Sequence, residues 1–174
     1  MDQWQLYIRN GFEFWSIESW LQAGVNMAFS ARRGGISEAP YESCNLGLHV
    51  GDDATQVLAN RAGFLHAFQA DLGQAVCCQQ VHGDKVASID KSHQGRGAFL
   101  YEQSLPEYDA MITDEPGVYL LTFSADCLPV YFFDPIHRAA GIAHSGWKGT
   151  MQQIAVKTLK AMQERFSSRA DEMF

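Results

Sequence analysis

The 174-residue sequence contains no apolar run that approaches the roughly 20 residues needed to cross a bilayer. The stretch from Met1 to Trp20 lacks the basic start, apolar run and small-residue cleavage site of an export signal. We therefore expect a cytoplasmic protein with no membrane partner. Basic residues are also scarce, since 13 Lys and Arg oppose 20 Asp and Glu and give a net charge of −7. Because binding to a phosphate backbone needs clustered cations, we expect no nucleic-acid partner.

Cysteines are few, and their spacing matches no dense disulfide framework. The four are Cys44, Cys77, Cys78 and Cys127. A chain of this length buries roughly two thirds of its unfolded surface without disulfides, so we interpret all four as reduced thiols. The same length is typical of one domain, and the sequence shows no repeat or linker. We predict a single domain over residues 1–174.

Apolar periodicity predicts an α/β fold in which a mixed β-sheet is flanked by helices. Asp53 followed by Gln56 resembles a capping box, and apolar residues then recur at helical spacing to about Phe68. A second helix is predicted from about Trp147 to Phe166, where the same spacing returns.

Strands are predicted wherever short apolar runs occur between turn residues. Alternating apolar residues predict a half-buried strand at Val25–Ala31. Six further runs predict strands, several of them central: Ala75–Val81, Lys85–Ile89, Ala110–Ile112, Val118–Phe123, Val130–Phe133 and Ala139–Ala143. The intervals 36–51 and 90–107 have no apolar period and are predicted as loops, and we expect the first to line a site.

Three residues of metal-ligating types each follow one of these apolar runs. They are His82, Cys127 and His144. Side chains at the carboxyl ends of neighbouring strands can converge, and we expect the three to meet there. Two imidazoles and a thiolate suit zinc, and three protein ligands leave a fourth position open for catalysis. Taken singly, each residue is more often an ordinary buried or surface side chain, so the surrounding sequence has to decide.

Longer motifs surround these residues in order from about Val25 to Thr150. They are Arg32-Arg33-Gly34-Gly35-Ile36-Ser37, Pro40-Tyr41, Asn45-Leu46-Gly47, His49-Val50-Gly51-Asp52-Asp53, Asn60-Arg61, Gln80-Val81-His82-Gly83, Asp109-Ala110, Ala125-Asp126-Cys127-Leu128-Pro129-Val130 and Ala143-His144-Ser145-Gly146-Trp147-Lys148-Gly149-Thr150. The sequence resembles the laccase-domain family of purine nucleoside phosphorylases, the YfiH and YlmD type, formerly described as multicopper polyphenol oxidoreductases. The resemblance implies zinc on His82, Cys127 and His144. It also implies phosphorolysis of adenosine, inosine, guanosine and methylthioadenosine, deamination of adenosine, and purine nucleosides and inorganic phosphate as partners.

This chemistry suggests roles for further residues. Asp126, beside the cysteine, is predicted to be catalytic with the three ligands, because it could relay a proton or orient a ligand. Phosphorolysis needs an anion site, for which Arg32 and the Gly146–Gly149 turn with Lys148 are candidates, although simple loop closure explains that turn equally well. The predicted substrate-binding residues are Arg32, Asn45, Arg61, Gln80 and Lys148. For Arg61, a salt bridge on an exposed helix face is the favoured interpretation.

Three other functions stay open at this point. Two His and one Cys could hold a single copper of a polyphenol oxidase, but the sequence has only six histidines, too few for a trinuclear cluster as well. Cys127 could be the nucleophile of a metal-free Cys-His hydrolase that edits peptidoglycan. A non-catalytic zinc module would need a fourth protein ligand, and His49 is the residue to inspect. The oligomeric state is open, a homo-oligomer included.

The end of the sequence carries a further expectation. Members of the family continue with a segment containing Gly, Pro and Cys that this sequence lacks, so we expect Phe174 to be an early end. The second helix should lead back into another strand, as helices do in α/β units. We therefore expect an open sheet edge or an exposed apolar patch beside it.

Overall fold

The computed structural model describes residues 3–174. The chain divides into two compact units, the first ending at Leu72 and the second beginning at Gly73. Both units combine strands with helices, so the predicted α/β class is confirmed, with several small sheets and few helices. That the whole chain forms one domain stays a prediction.

The first unit begins with a β-hairpin that the sequence analysis did not predict. β1 (Trp4–Arg9) and β2 (Phe12–Ile17) pair antiparallel. Asn10 and Gly11 join them with φ angles of 51° and 85°, which suit a two-residue hairpin turn. An Asn-Gly pair between two apolar runs is the signal that could have identified this hairpin.

The strand predicted at Val25–Ala31 is much shorter in the structure. A short helix, α1 (Glu18–Gln22), precedes it, and only β3 (Phe29–Ser30) pairs with β2. The backbone N–H of Val25 donates to the carbonyl oxygen of Trp20 at 3.0 Å instead of to a neighbouring strand. The first half of the predicted strand is therefore wrong, because its backbone continues the turn that ends α1.

The helix predicted from Asp53 is confirmed as α2 (Ala54–His66), two residues shorter than expected. The Asp53 carboxylate accepts hydrogen bonds from the backbone N–H groups of Thr55 and Gln56, at 2.8 and 3.1 Å. The side-chain oxygen of Gln56 accepts from the backbone N–H of Glu38 at 3.1 Å. Gln56 thus ties α2 to the preceding loop in place of the reciprocal bond of a capping box.

The loop predicted at 36–51 is confirmed as irregular, and a buried side chain of α2 organises it. The Asn60 amide nitrogen donates to Oγ of Ser37 at 2.9 Å and to the carbonyl oxygens of Ser43 and Asn45 at 3.1 and 3.0 Å. Its oxygen accepts from the backbone N–H of Ile36 at 2.7 Å. One buried amide therefore satisfies three backbone groups between Ile36 and Asn45, in a segment that has no sheet or helix of its own.

The second unit contains two sheets. β4 (Ala75–Cys77) and β7 (Tyr119–Leu121) form a parallel pair. The other sheet has the order β5-β6-β9-β8 and consists of β5 (Val86–Ser88), β6 (Ala110–Thr113), β8 (Leu128–Asp134) and β9 (Ala139–Ser145). β5 pairs parallel with β6, whereas β9 pairs antiparallel with β6 and β8, which confirms a mixed sheet. The loop predicted at 90–107 contains two short 3-10 helices and a single β-bridge from Leu105 to Cys78.

The single helix predicted over residues 147–166 is wrong, because the structure has two. α3 (Trp147–Met151) and α4 (Ile154–Phe166) are separated at Gln153, whose φ of 61° is left-handed and breaks the helical path. α4 buries Ile154 and Met162, and it packs against β5, β6 and β9. None of the helices among residues 3–174 is long and apolar enough to cross a membrane. A cytoplasmic location stays a prediction.

β8 is the last strand in the order of the four-stranded sheet. Within it, Phe133 exchanges two backbone hydrogen bonds with Phe174, each 2.9 Å long. The open sheet edge or exposed apolar patch expected beside the last helix stays a prediction.

Candidate metal centre

The three predicted ligands, His82, Cys127 and His144, come together in the second unit. Their donor atoms all lie within 4.8 Å of one another. Nδ1 of His82 is 4.0 Å from Sγ of Cys127, and the two imidazole rings have centroids 4.8 Å apart at an interplanar angle of 73°. His144 is buried, Cys127 is partly buried and His82 is exposed. The group therefore opens to the surface on the side of His82.

The strands bring these side chains together at strand ends. Cys127 directly precedes β8 and His144 lies near the end of β9, and the antiparallel register pairs Pro129 with His144. The start of one strand meets the end of its neighbour in such a pair. The position at strand ends agrees with the expectation, since His144 lies near the carboxyl end of β9 and Cys127 follows β7, which pairs parallel with the β4 that precedes His82. His82 follows β4 in an irregular segment.

Asp109, which the sequence analysis named only as part of a motif, contacts both histidine segments. Its carboxylate accepts hydrogen bonds from the backbone N–H groups of Val81, His82 and Gly83, at 3.1, 3.0 and 2.7 Å. Its Oδ1 atom also lies 2.9 Å from Nδ1 of His144. Burial by itself raises the pKa of Asp109, but the hydrogen bonds from His144 and the backbone outweigh it and hold the pKa below its ordinary value. The buried carboxylate is therefore ionised.

The loop that carries Cys127 is held by the side chain of Gln80. The Gln80 amide donates to the carbonyl oxygen of Phe123 at 2.7 Å and accepts from its backbone N–H at 2.8 Å. Asp126 lies beside the thiol, with Oδ1 3.8 Å from Sγ of Cys127. Burial, and then the negative charge of Asp126, raises the pKa of the Cys127 thiol. A cation among the three ligands would favour the thiolate instead.

Gly146 lacks a side chain at the point where one would meet the ligand atoms. A Cβ atom at this position would lie 2.4 Å from Nδ1 of His82 and 3.3 Å from Sγ of Cys127. The backbone does not require glycine, because φ of −69° and ψ of 172° are open to any residue. Glycine at this position therefore leaves room beside the candidate ligand atoms of His82 and Cys127. With two imidazoles and a thiolate facing that space, the residues present fit a metal ion such as zinc.

Three of the predicted substrate-binding residues belong to the first unit, where each has a polar partner. Arg32 is exposed and forms an ion pair with Glu42 at 3.1 Å. Asn45 donates to the carboxylate of Asp52 at 2.9 Å. Arg61 is 2% exposed, and its Nε atom donates to a backbone carbonyl oxygen at 2.6 Å. The interpretation of Arg61 as a salt bridge on an exposed face is therefore wrong. Substrate contacts of the three residues stay predictions.

The other two predicted substrate-binding residues, Gln80 and Lys148, belong to the second unit. Lys148 lies in α3 and is exposed, with Nζ 5.6 Å from the centroid of the Trp147 ring. The turn that contains Lys148 is closed by a hydrogen bond from the backbone N–H of Thr150 to the carbonyl oxygen of Gly146, at 2.8 Å. Phosphate binding at this turn stays a prediction, as does any contact of Gln80 with substrate.

Comparison with known proteins identifies relatives along most of the chain. The model of the family described as multi-copper polyphenol oxidoreductase laccase matches residues 26–174. The purine nucleoside phosphorylase YlmD of Bacillus subtilis (strain 168) is 35% identical over 163 residues, which are 91% of this chain and 59% of the relative. YlmD of Geobacillus stearothermophilus is 42% identical over 133 residues, which are 76% of this chain and 48% of the relative. The chain thus spans 48% to 59% of the length of these curated relatives.

Solved structures show the same fold. The crystal structure of YlmD from Geobacillus stearothermophilus superposes with a TM-score of 0.92 at 36% identity, over 100% of this chain and 63% of that chain. The crystal structure of the Bacillus licheniformis hypothetical protein YfiH superposes with a TM-score of 0.88 at 37% identity, over 92% of this chain and 59% of that chain.

Proposed function

The chain belongs to the family described as multi-copper polyphenol oxidoreductase laccase, and from this premise we propose that it is a zinc-dependent purine nucleoside phosphorylase that also deaminates adenosine. The proposed substrates are adenosine, inosine, guanosine and methylthioadenosine, together with inorganic phosphate. Both YlmD relatives carry the name purine nucleoside phosphorylase. The observation that carries the proposal is the cluster of His82, Cys127 and His144, whose donor atoms lie within 4.8 Å of one another.

Zinc is the proposed ion, although the family description refers to copper. The whole sequence has six histidines, and once His82 and His144 serve the metal group the four that remain are too few for a trinuclear copper cluster as well. A purely structural zinc site normally has four protein ligands, whereas three ligands are typical of catalytic zinc. The donor set therefore favours a catalytic zinc site.

His82, Cys127 and His144 would hold the zinc, which would supply a Lewis acid to activate water for attack on C6 of adenine. The chain's own residues bind, orient and move protons around that chemistry. His82 is exposed, so a nucleoside can approach from its side. The Asp126 carboxylate, 3.8 Å from Sγ of Cys127, is placed to accept or pass on a proton. Arg32 in the first unit and Lys148 in the second are separate candidates for a cation that contacts phosphate.

Product analysis of adenosine incubated with and without phosphate tests the proposal. Adenine and ribose 1-phosphate should form only with phosphate, because phosphorolysis consumes it as the nucleophile. Inosine should form in both cases, because deamination needs only activated water. Both activities should vanish in His82→Ala and persist in His93→Ala, since His93 pairs with Asp90 outside the metal group.

Other outcomes would contradict the proposal. Phenol oxidation without nucleoside turnover would favour a copper oxidase. Full activity of His82→Ala would show that the His-Cys-His group is not the active centre. A zinc-loaded protein that turns over no nucleoside would refute the phosphorylase assignment.

A further inference from the structure

We infer that Asp109 is a positioning residue that orients both histidines of the metal group, His82 through its backbone and His144 through its imidazole. Asp109 is 2% exposed, and its carboxylate makes three contacts with the backbone of residues 81–83 and one with the imidazole of His144. Its proposed effect on metal binding rests on the proposed function. Its effect on the His144 ring does not, because that contact exists without a metal.

The contact with His144 determines which ring nitrogen faces the metal group. Three backbone N–H groups donate to the carboxylate of Asp109, and Nδ1 of His144 lies 2.9 Å from its Oδ1, so this ring nitrogen donates to the same acceptor and carries the proton. In the neutral ring the lone pair then belongs to Nε2. Nε2 is therefore the ligand atom of His144, and the ring is held in the tautomer that can bind a cation.

The contacts with residues 81–83 hold the turn that presents His82. His82 has a φ of 58°, a left-handed conformation that residues with a Cβ atom rarely adopt. Three consecutive backbone N–H groups in this turn donate to the same carboxylate, and hydrogen bonds to a charged acceptor are stronger than neutral ones. Asp109 thus stabilises the strained turn in the conformation that points the imidazole of His82 toward Cys127.

The amide of asparagine cannot replace this carboxylate, although it has the same shape. Each carboxylate oxygen of Asp109 lies near two donors: Oδ1 near His82 and His144, and Oδ2 near Val81 and Gly83. Whichever way an amide is turned, its NH2 group faces two of these donors. Asp109→Asn therefore disrupts either the ring contact or the turn without changing the volume of the side chain.

Asp134 provides a matched control for a purely structural role. It is also a buried aspartate, and its Oδ1 accepts from the backbone N–H groups of Ile136 and His137, at 2.9 and 3.0 Å. Its Oδ2 lies 2.8 Å from Nδ1 of His137. It makes the same kinds of contact as Asp109 but occupies the other end of β8 from Cys127. Asp134→Asn should therefore lower stability without affecting the metal group.

The first measurement is 15N NMR of the metal-free protein with 15N-labelled histidine. In the wild type we expect His144 as the Nδ1–H tautomer, with its signals assigned by comparison with His144→Gln. Asp109→Ala, which removes the acceptor altogether, should lose that tautomer preference, whereas Asp134→Ala should keep it. If His144 carries its proton on Nε2 in the wild type, the inference is wrong, and this result needs no variant of Asp109 to fold.

The second measurement is zinc affinity by competition with a chelator. Loss of a partner just outside the ligand shell costs about 10- to 100-fold in metal affinity, so we expect a drop of that size in Asp109→Asn and none in Asp134→Asn. Equal affinities in the two variants would overturn the inference while the proposed function stands. A wild type that binds no zinc would contradict the proposed function, and the tautomer measurement would still decide the role of Asp109.

Discussion

Replacing Gly146 with alanine places a methyl group directly against the metal ligands. The new Cβ atom would lie 2.4 Å from Nδ1 of His82, and ordinary van der Waals contact begins near 3.4 Å, so the imidazole must retreat by about 1 Å. Metal–ligand distances tolerate changes of only about 0.2 Å. We expect zinc affinity to fall by at least about 100-fold, the upper end of the cost of changes outside the ligand shell.

The stability of the zinc-free protein should change little in this variant. The backbone at Gly146 is open to alanine, which favours folding by about 0.4–1 kcal/mol through the unfolded chain, and the exposed His82 ring can move to relieve the clash. Gly73→Ala is the matched control, because a Cβ atom there meets nothing within 4 Å. Zinc competition and thermal unfolding measure the two effects. Unchanged zinc affinity in Gly146→Ala would refute the argument that this glycine makes room for the metal.

Three further substitutions test the contacts that support the site and the fold. Gln80→Ala removes both hydrogen bonds to the backbone of Phe123 and should lower the free energy of unfolding by about 1–2 kcal/mol, as measured by urea unfolding. Asn60→Ala removes four hydrogen bonds of a buried amide and should cost about 3 kcal/mol in the same assay, and a loss no larger than that of Gln80→Ala would contradict this reasoning. Burial raises the pKa of Asp134, but hydrogen bonds to its carboxylate outweigh it and hold the pKa below its ordinary 3.8. Its stabilisation is therefore present above pH 3.8 and lost as pH falls through the lower folded value, so wild type and Asp134→Asn should converge in stability only on acidification.

Local sequence patterns predicted the secondary structure correctly where contacts between neighbouring residues stabilise the element. The cap at Asp53 correctly marks the start of α2, since the capping bonds lie within three residues of each other. The apolar runs correctly predict the strands of the second unit, but not their ends. The continuous helix predicted from Trp147 fails at Gln153, because apolar spacing does not reveal a left-handed residue between two helices.

The three candidate metal ligands could be named from the sequence, because each sits in a motif of several adjacent residues. Their meeting point could not be derived in the same way. Cys127 approaches His144 because β8 and β9 run antiparallel in one particular register, and that pairing depends on contacts along both strands.

Asp109 and Gly146 show most clearly where local information ends. In the sequence, Asp109 is one acidic residue before a buried strand. Gly146 is one of the 15 glycines of the chain and lies in a turn. Only the folded chain places the Asp109 carboxylate against residues 81–83 and His144. It also brings the Gly146 backbone so close to His82 that a Cβ atom would collide with the ring. Motifs show which ligand types are present, because a motif consists of adjacent residues that can be read directly from the sequence. Their positions to within an ångström come from packing between distant segments, because close-packed contacts, and not periodicity, determine where each donor atom lies.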